Sequence, residues 1–137
     1  MLALAVAVAC TPSAWAQPEP STEQELQAQG ARRIAAAELR TRLTGNTAYT
    51  LFLRSIGSVS AGTVVRTYYR DGKTRVVGRL VRIWWLEGDK LRHERSDKSA
   101  HTCYQVLELA GQLHTCADDS GTCDHVVRVV PGNPEGL

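Results

Sequence analysis

The sequence predicts a mainly β, α+β fold: an N-terminal helix followed by an antiparallel β-meander of about eight strands, curled into a barrel or half-barrel. Three observations carry this. After Asn46, β-branched and aromatic residues cluster in short runs. Turn residues recur between the runs at Asp71-Gly72, Gly88-Asp89, Ser96 to Ser99, Ala110-Gly111 and Asp118 to Gly121. No helical segment of useful length separates them, and parallel strands need long crossovers.

The chain opens on an apolar run, Leu2 to Ala9, broken by Pro12 and followed by Ala14-Trp15-Ala16. That is the pattern of a secretory signal peptide cut after Ala16. The run is far too short to span a bilayer, which takes roughly 20 residues. No Lys or Arg precedes it, so the true start of translation is expected upstream. The rival reading is a buried N-terminal helix, which Gln17-Pro18-Glu19-Pro20 would not continue. A second alternative makes Cys10 the lipid-bearing cysteine of an anchored lipoprotein. The expected organisation is therefore a signal peptide at 1–16, a spacer at 17–21, one domain at 22–131 and a loose tail at 132–137. Removing the first 16 of 137 residues leaves 121, enough for one core. The expected location is periplasmic or secreted.

The helix starts at Ser21 or Thr22, which with the following glutamates resembles a capping box. Strong helix formers follow, with Ala35, Leu39 and Leu43 on one stripe. Gly30 interrupts them, so two short helices are an option, and Gly45-Asn46 ends the segment. Strands are expected at about 48–54, 63–70, 74–80, 82–87, 90–95, 101–109, 112–117 and 122–130.

Turn positions set the expected pairings. A two-residue loop at Asp71-Gly72 would put Tyr68 opposite Arg75 and Val64 opposite Arg79. Arg66, Tyr68, Arg70, Arg75 and Arg79 then share one face, and Val65, Thr67, Val76, Gly78 and Leu80 the core face. A loop at Gly88-Asp89 puts Trp84 opposite His93 and Trp85 opposite Arg92. The inward tryptophan is not decided by this pattern.

Net charge is +2, unevenly spread. Residues 62–100 hold ten Lys/Arg against five acids, and residues 104–137 hold five acids against Arg128. The arginine face of 66–79 is therefore the expected site for an anionic ligand or an acidic partner, since the planar guanidinium suits carboxylate and phosphate. The alternative is a solvated sheet face. Nucleic acid is a poor match, because stacking aromatics are few.

"HTCADDSGTCDH", His114 to His125, is nearly palindromic. A turn at Asp118 to Gly121 places Cys116 opposite Cys123 and His114 opposite His125, all on one face. A Cys116–Cys123 disulfide is favoured, because exported cysteines oxidise. A metal cage of His114, Cys116, Cys123 and His125 would have to gather rungs about 6.8 Å apart around one small ion.

The order of "LTGNTAY" after a helix, "YYRDGKTR", "WWLEGDKLRHERSD" and "HTCYQV" resembles a family of small exported proteobacterial proteins, the domain of unknown function 995. The resemblance covers roughly residue 40 to the C-terminus. It implies an exported, β-rich single domain and supplies no reaction. In that family a Cys usually follows the Gly-Asp-x-Leu segment, where this chain has Arg92. A turn at Ser96 to Ser99 sets residue 92 opposite residue 103. Cys103 thus loses the partner that the family would provide.

No Gly-x-Ser-x-Gly, His-Glu-x-x-His or phosphate loop is present. His101 and Cys103 fall side by side on one strand face, not within reach of a hydrogen bond. The expectation is a non-catalytic envelope protein that binds a partner or anionic ligand through Arg66, Tyr68, Arg70, Arg75 and Arg79. It needs no cofactor and no transmembrane span. The alternatives are an inhibitor-like protein docking on a secreted hydrolase and a weak metal-binding protein.

Overall fold

The computed structural model of the chain describes residues 19–94 and 101–137. The expected signal peptide, Cys10 and the Ser96 to Ser99 turn lie outside the described residues.

Thr22 is extended and its Oγ1 accepts the Glu25 N–H at 3.1 Å. This N-cap satisfies one orphan amide at the start of α1, Glu23–Ala28. Gly30, at φ +100°, reverses the chain. A second helix, α2, spans Ala36–Leu43. Gly30 thus splits the helical run in two.

The strands are β1 Ser21–Thr22, β2 Arg32–Arg33, β3 Asn46–Phe52, β4 Val64–Tyr68, β5 Thr74–Val77, β6 Leu80–Glu87, β7 Lys90–Glu94, β8 His101–Leu109, β9 Gln112–Ala117 and β10 Thr122–Pro131. From β3 to β10 each pairs antiparallel with the next, and β10 closes the ring on β3. The result is a closed eight-stranded antiparallel barrel. Two short strands flank it: β1 pairs with β10, and β2 with β8. Closure removes the exposed edges that a meander of this length would otherwise present. No helix among the described residues is long and apolar enough to cross a membrane.

The barrel has an inner and an outer core. Ile34, Leu39, Leu43, Trp84, Leu91, Val106 and Leu113 belong to the inner one. Leu39 and Leu43 of α2 contribute to it, so the helix plugs one end of the barrel. No side chain of its own caps α2; Asp89, in the β6–β7 turn, accepts the Ala36 N–H at 2.8 Å. The outer core is smaller: Leu26 of α1 packs with Leu107, Cys116 and Cys123. Trp84 is the inward tryptophan, 1 % exposed, and Trp85 lies outside, its ring edge-on to His101.

Most of the expected pairings hold. Trp84 faces His93, Trp85 faces Arg92, Arg92 faces Cys103 and Cys116 faces Cys123. The β4–β5 hairpin departs from expectation by one residue. Asp71 Oδ1 accepts from the N–H groups of both Lys73 and Thr74, which draws Lys73 into the turn. Tyr68 therefore faces Val76, not Arg75. A one-residue slip sends every side chain of a strand to the other face, so Arg75 enters the barrel. The expected strand at 74–80 also breaks: Gly78, at φ +60°, and Arg79 form the β5–β6 turn.

The tail expected to be loose is tied down. Glu135 accepts from Tyr49 Oη at 2.8 Å and pairs with Arg66 at 3.2 Å. Asn133 and Leu137 exchange two hydrogen bonds.

Candidate functional site

The barrel interior holds a cavity of about 180 Å³. Alternation along each strand decides its lining. Val65, Thr67 and Tyr69 come from β4 and the residue just after it. Arg75 comes from β5, Leu91 and His93 from β7, and Thr102, Tyr104 and Val106 from β8. Leu113 and Thr115 of β9, His125 and Val127 of β10, and Thr50 and Phe52 of β3 complete the wall over Leu39 and Leu43. The lining is mixed: aliphatic near α2, and otherwise hydroxyls, imidazoles and one guanidinium.

Arg75 is the one lining side chain with a permanent charge. Its Nη2 donates to the Glu94 carbonyl at 3.0 Å. Its Nε is buried and has no hydrogen-bond partner. Among the described residues no carboxylate lies within ion-pair distance of it. Burial lowers its pKa, but a guanidinium does not deprotonate in a protein, so the cavity carries a net positive charge.

Arg82 is the cross-strand partner of Arg75, and the opposed charges of Arg82 and Glu94 act on it from outside the lining; the lining groups beside it are neutral. Tyr69 Oη and His93 Nε2 lie 2.9 Å apart. Burial pushes the Tyr69 phenol up to about 12. Burial, then the charges of Arg75 and His125, hold the His93 pKa well below the usual histidine value. His125 Nδ1 sits 3.0 Å from Thr115 Oγ1, and its ring meets those of Phe52 and Tyr104 edge-on. Burial lowers its pKa too.

These histidines predict a pH dependence. Their folded-state pKa values are depressed, so the stability they support is complete above the unfolded value near 6.5. As pH falls through that value, the unfolded chain takes up protons that the folded interior refuses. For His93 the loss reaches at most about 1.4 kcal/mol per pH unit. Urea unfolding at pH 7.5 and pH 5.5 should show the midpoint dropping at the lower pH. An unchanged midpoint would mean that His93 charges freely inside the barrel.

The expected basic face is divided. Arg66, Tyr68 and Arg70 lie on the outer side of β4 and just beyond it, Arg75 lies inside, and Arg79 sits exposed in a turn. Arg66 is partly engaged by Glu135 and lies over the Tyr49 ring at 5.9 Å. Arg70 Nε donates to Thr74 Oγ1.

The Cys116–Cys123 disulfide is formed. The expected His114–His125 rung is not. A bulge between Cys123 and His125 shifts the register, so His125 faces Thr115 and turns inward, while His114 pairs with Val126. The four residues therefore do not gather around one point, and among the described residues no metal-binding cluster is found. Asp124, in the bulge, is 5 % exposed and pairs with Arg54 at 2.7 Å. Cys103 is a free, half-buried thiol opposite Arg92.

Sequence reasoning missed Tyr69, His93 and Tyr104 as lining residues. Alternation held the signal for all three. Tyr69 continues the inward series Val65, Thr67, and the Trp84–His93 pairing carries His93 inside with Trp84.

Comparison of the chain with protein-family models, with curated proteins and with solved structures returned no significant match.

Proposed function

We propose that this chain is a non-catalytic binding protein of the cell envelope that houses a small molecule inside its barrel. One observation carries the reading: Arg75 sets a half-buried guanidinium, with no carboxylate in ion-pair distance among the described residues, against a cavity of about 180 Å³. Drawing a charge out of water without an ion-pair partner is destabilising, and apolar residues of similar volume often fill such a site at least as well. A fold that keeps the charge is better explained by a ligand than by packing. The sequence supports the rest. The Leu2 to Ala16 pattern and a Cys116–Cys123 disulfide agree with export. The resemblance to the domain of unknown function 995 agrees with a small envelope protein without a catalytic motif.

The interior takes the place of the outer arginine face as the proposed site. Arg66 is partly engaged by Glu135, and the five-residue face that motivated the first expectation is divided by the slip that turns Arg75 inward.

Ligand-observed NMR with a panel of small neutral, anionic and cationic fragments tests this. Fragment binding should be abolished by Thr50→Phe, which fills the cavity. It should survive Arg66→Glu with Arg70→Glu on the outer surface. The opposite pattern would return the site to the outer face, and a panel without binders would reject the interior as a ligand site.

A further inference from the structure

We infer that the interior ligand is a small amphipathic monocarboxylate, seated with its carboxylate on Arg75 and its apolar body toward α2. This rests on the reading of the cavity as a ligand site and adds the class and the orientation.

The charge balance selects one negative charge. The lining contains a single permanent cation and no Asp, Glu or Lys. A dianionic phosphate would bring more charge than Arg75 balances, and an ammonium would be repelled. A neutral molecule could accept a hydrogen bond from the guanidinium but would leave its charge without a counter-charge in the cavity. A carboxylate matches the guanidinium fork and accepts charge-assisted hydrogen bonds from it. Threonine and tyrosine hydroxyls of the same wall can donate to the remaining lone pairs.

The gradient of the wall sets the orientation. Leu39 and Leu43 form an aliphatic floor from α2, with Leu113 and Val127 beside it. A polar group pointed at that floor would lose its hydrogen bonds, whereas an alkyl or aryl group would bury apolar surface. Volume limits the size. An apolar cavity of about 150 Å³ takes up benzene, so this one suits a molecule of roughly seven to ten non-hydrogen atoms.

Benzoate and hexanoate are the probes, compared by calorimetry with benzyl alcohol, hexanol and benzylamine. The carboxylates should bind roughly 10- to 100-fold more tightly than their neutral analogues, the effect of one charge-assisted pair. The amine should be excluded. Arg75→Met keeps the volume and removes the buried charge, so it folds at least as readily as the parent. It should lose the preference for carboxylate and bind benzyl alcohol as well as or better than benzoate.

The outcomes separate the two levels of the argument. Neutral and anionic probes binding equally, or a carboxylate preference that survives Arg75→Met, overturns the monocarboxylate assignment and leaves the cavity a ligand site. No binding by any probe, charged or neutral, overturns both.

Discussion

Trp84→Ala is expected to lower the unfolding free energy by about 3–5 kcal/mol, the usual range for deleting a buried aromatic. Trp84 is 1 % exposed and belongs to the inner core. Its indole N–H donates to the Asp71 carbonyl at 2.9 Å, and its ring lies edge-on to Tyr69 at 5.0 Å between centroids. One side chain thus joins β6 to the β4–β5 turn, the turn whose geometry sends Arg75 inward. Small domains are stable by only about 5–15 kcal/mol in all, so the loss is a large fraction. Trp84→Phe keeps most of the ring and removes the donor; its cost should be smaller, about 1 kcal/mol from the lost hydrogen bond plus part of the packing. Urea unfolding of the two variants separates the contributions. Equal, small effects would mean that the interior can collapse around the missing ring.

The second large effect is expected on breaking the disulfide. Cys116 and Cys123 are separated by seven positions, a short closed loop. Chain entropy alone gives about 2.5 kcal/mol for a loop of that size. Packing adds to it, since both sulfur-bearing residues are fully buried against Leu26 of α1 and Leu107 of β8. Cys116→Ala with Cys123→Ala should therefore cost roughly 2–5 kcal/mol. It should also loosen α1, readable as earlier proteolysis near Gly30. Thiol counting under denaturing, non-reducing conditions gives an independent check. A chain beginning at Gln17 should show one free thiol, from Cys103. Three would mean that the bridge does not form.

The residues around Gly88-Asp89 and Asp118 to Gly121 were legible in advance because their turns have fixed lengths. Once the loop is set, the pairs nearest it follow: Trp84–His93 from the first and Cys116–Cys123 from the second. The same logic failed at Asp71. The Asp-Gly pair reads as a two-residue loop, but the Asp71 carboxylate captures two amide hydrogens and lengthens the turn. It failed again at Asp124, where the bulge turns His125 inward. Two polar groups of the candidate site stand inside because of these one-residue events: Arg75 by the first and His125 by the second.

By itself the sequence determined the order of the eight barrel strands, most of their antiparallel pairing and the disulfide, and left the split helix as an option. These follow from alternation, turn chemistry and cysteine spacing, all local quantities. Only the tertiary structure decided that the sheet closes, that α2 plugs it, and that a charge expected on the surface stands inside. The physical reason is the period of two along a strand: a single inserted residue leaves composition and topology unchanged, yet exchanges solvent for interior. Closure then converts that exchange into chemistry, because a face turned inward in a barrel is shut away from water.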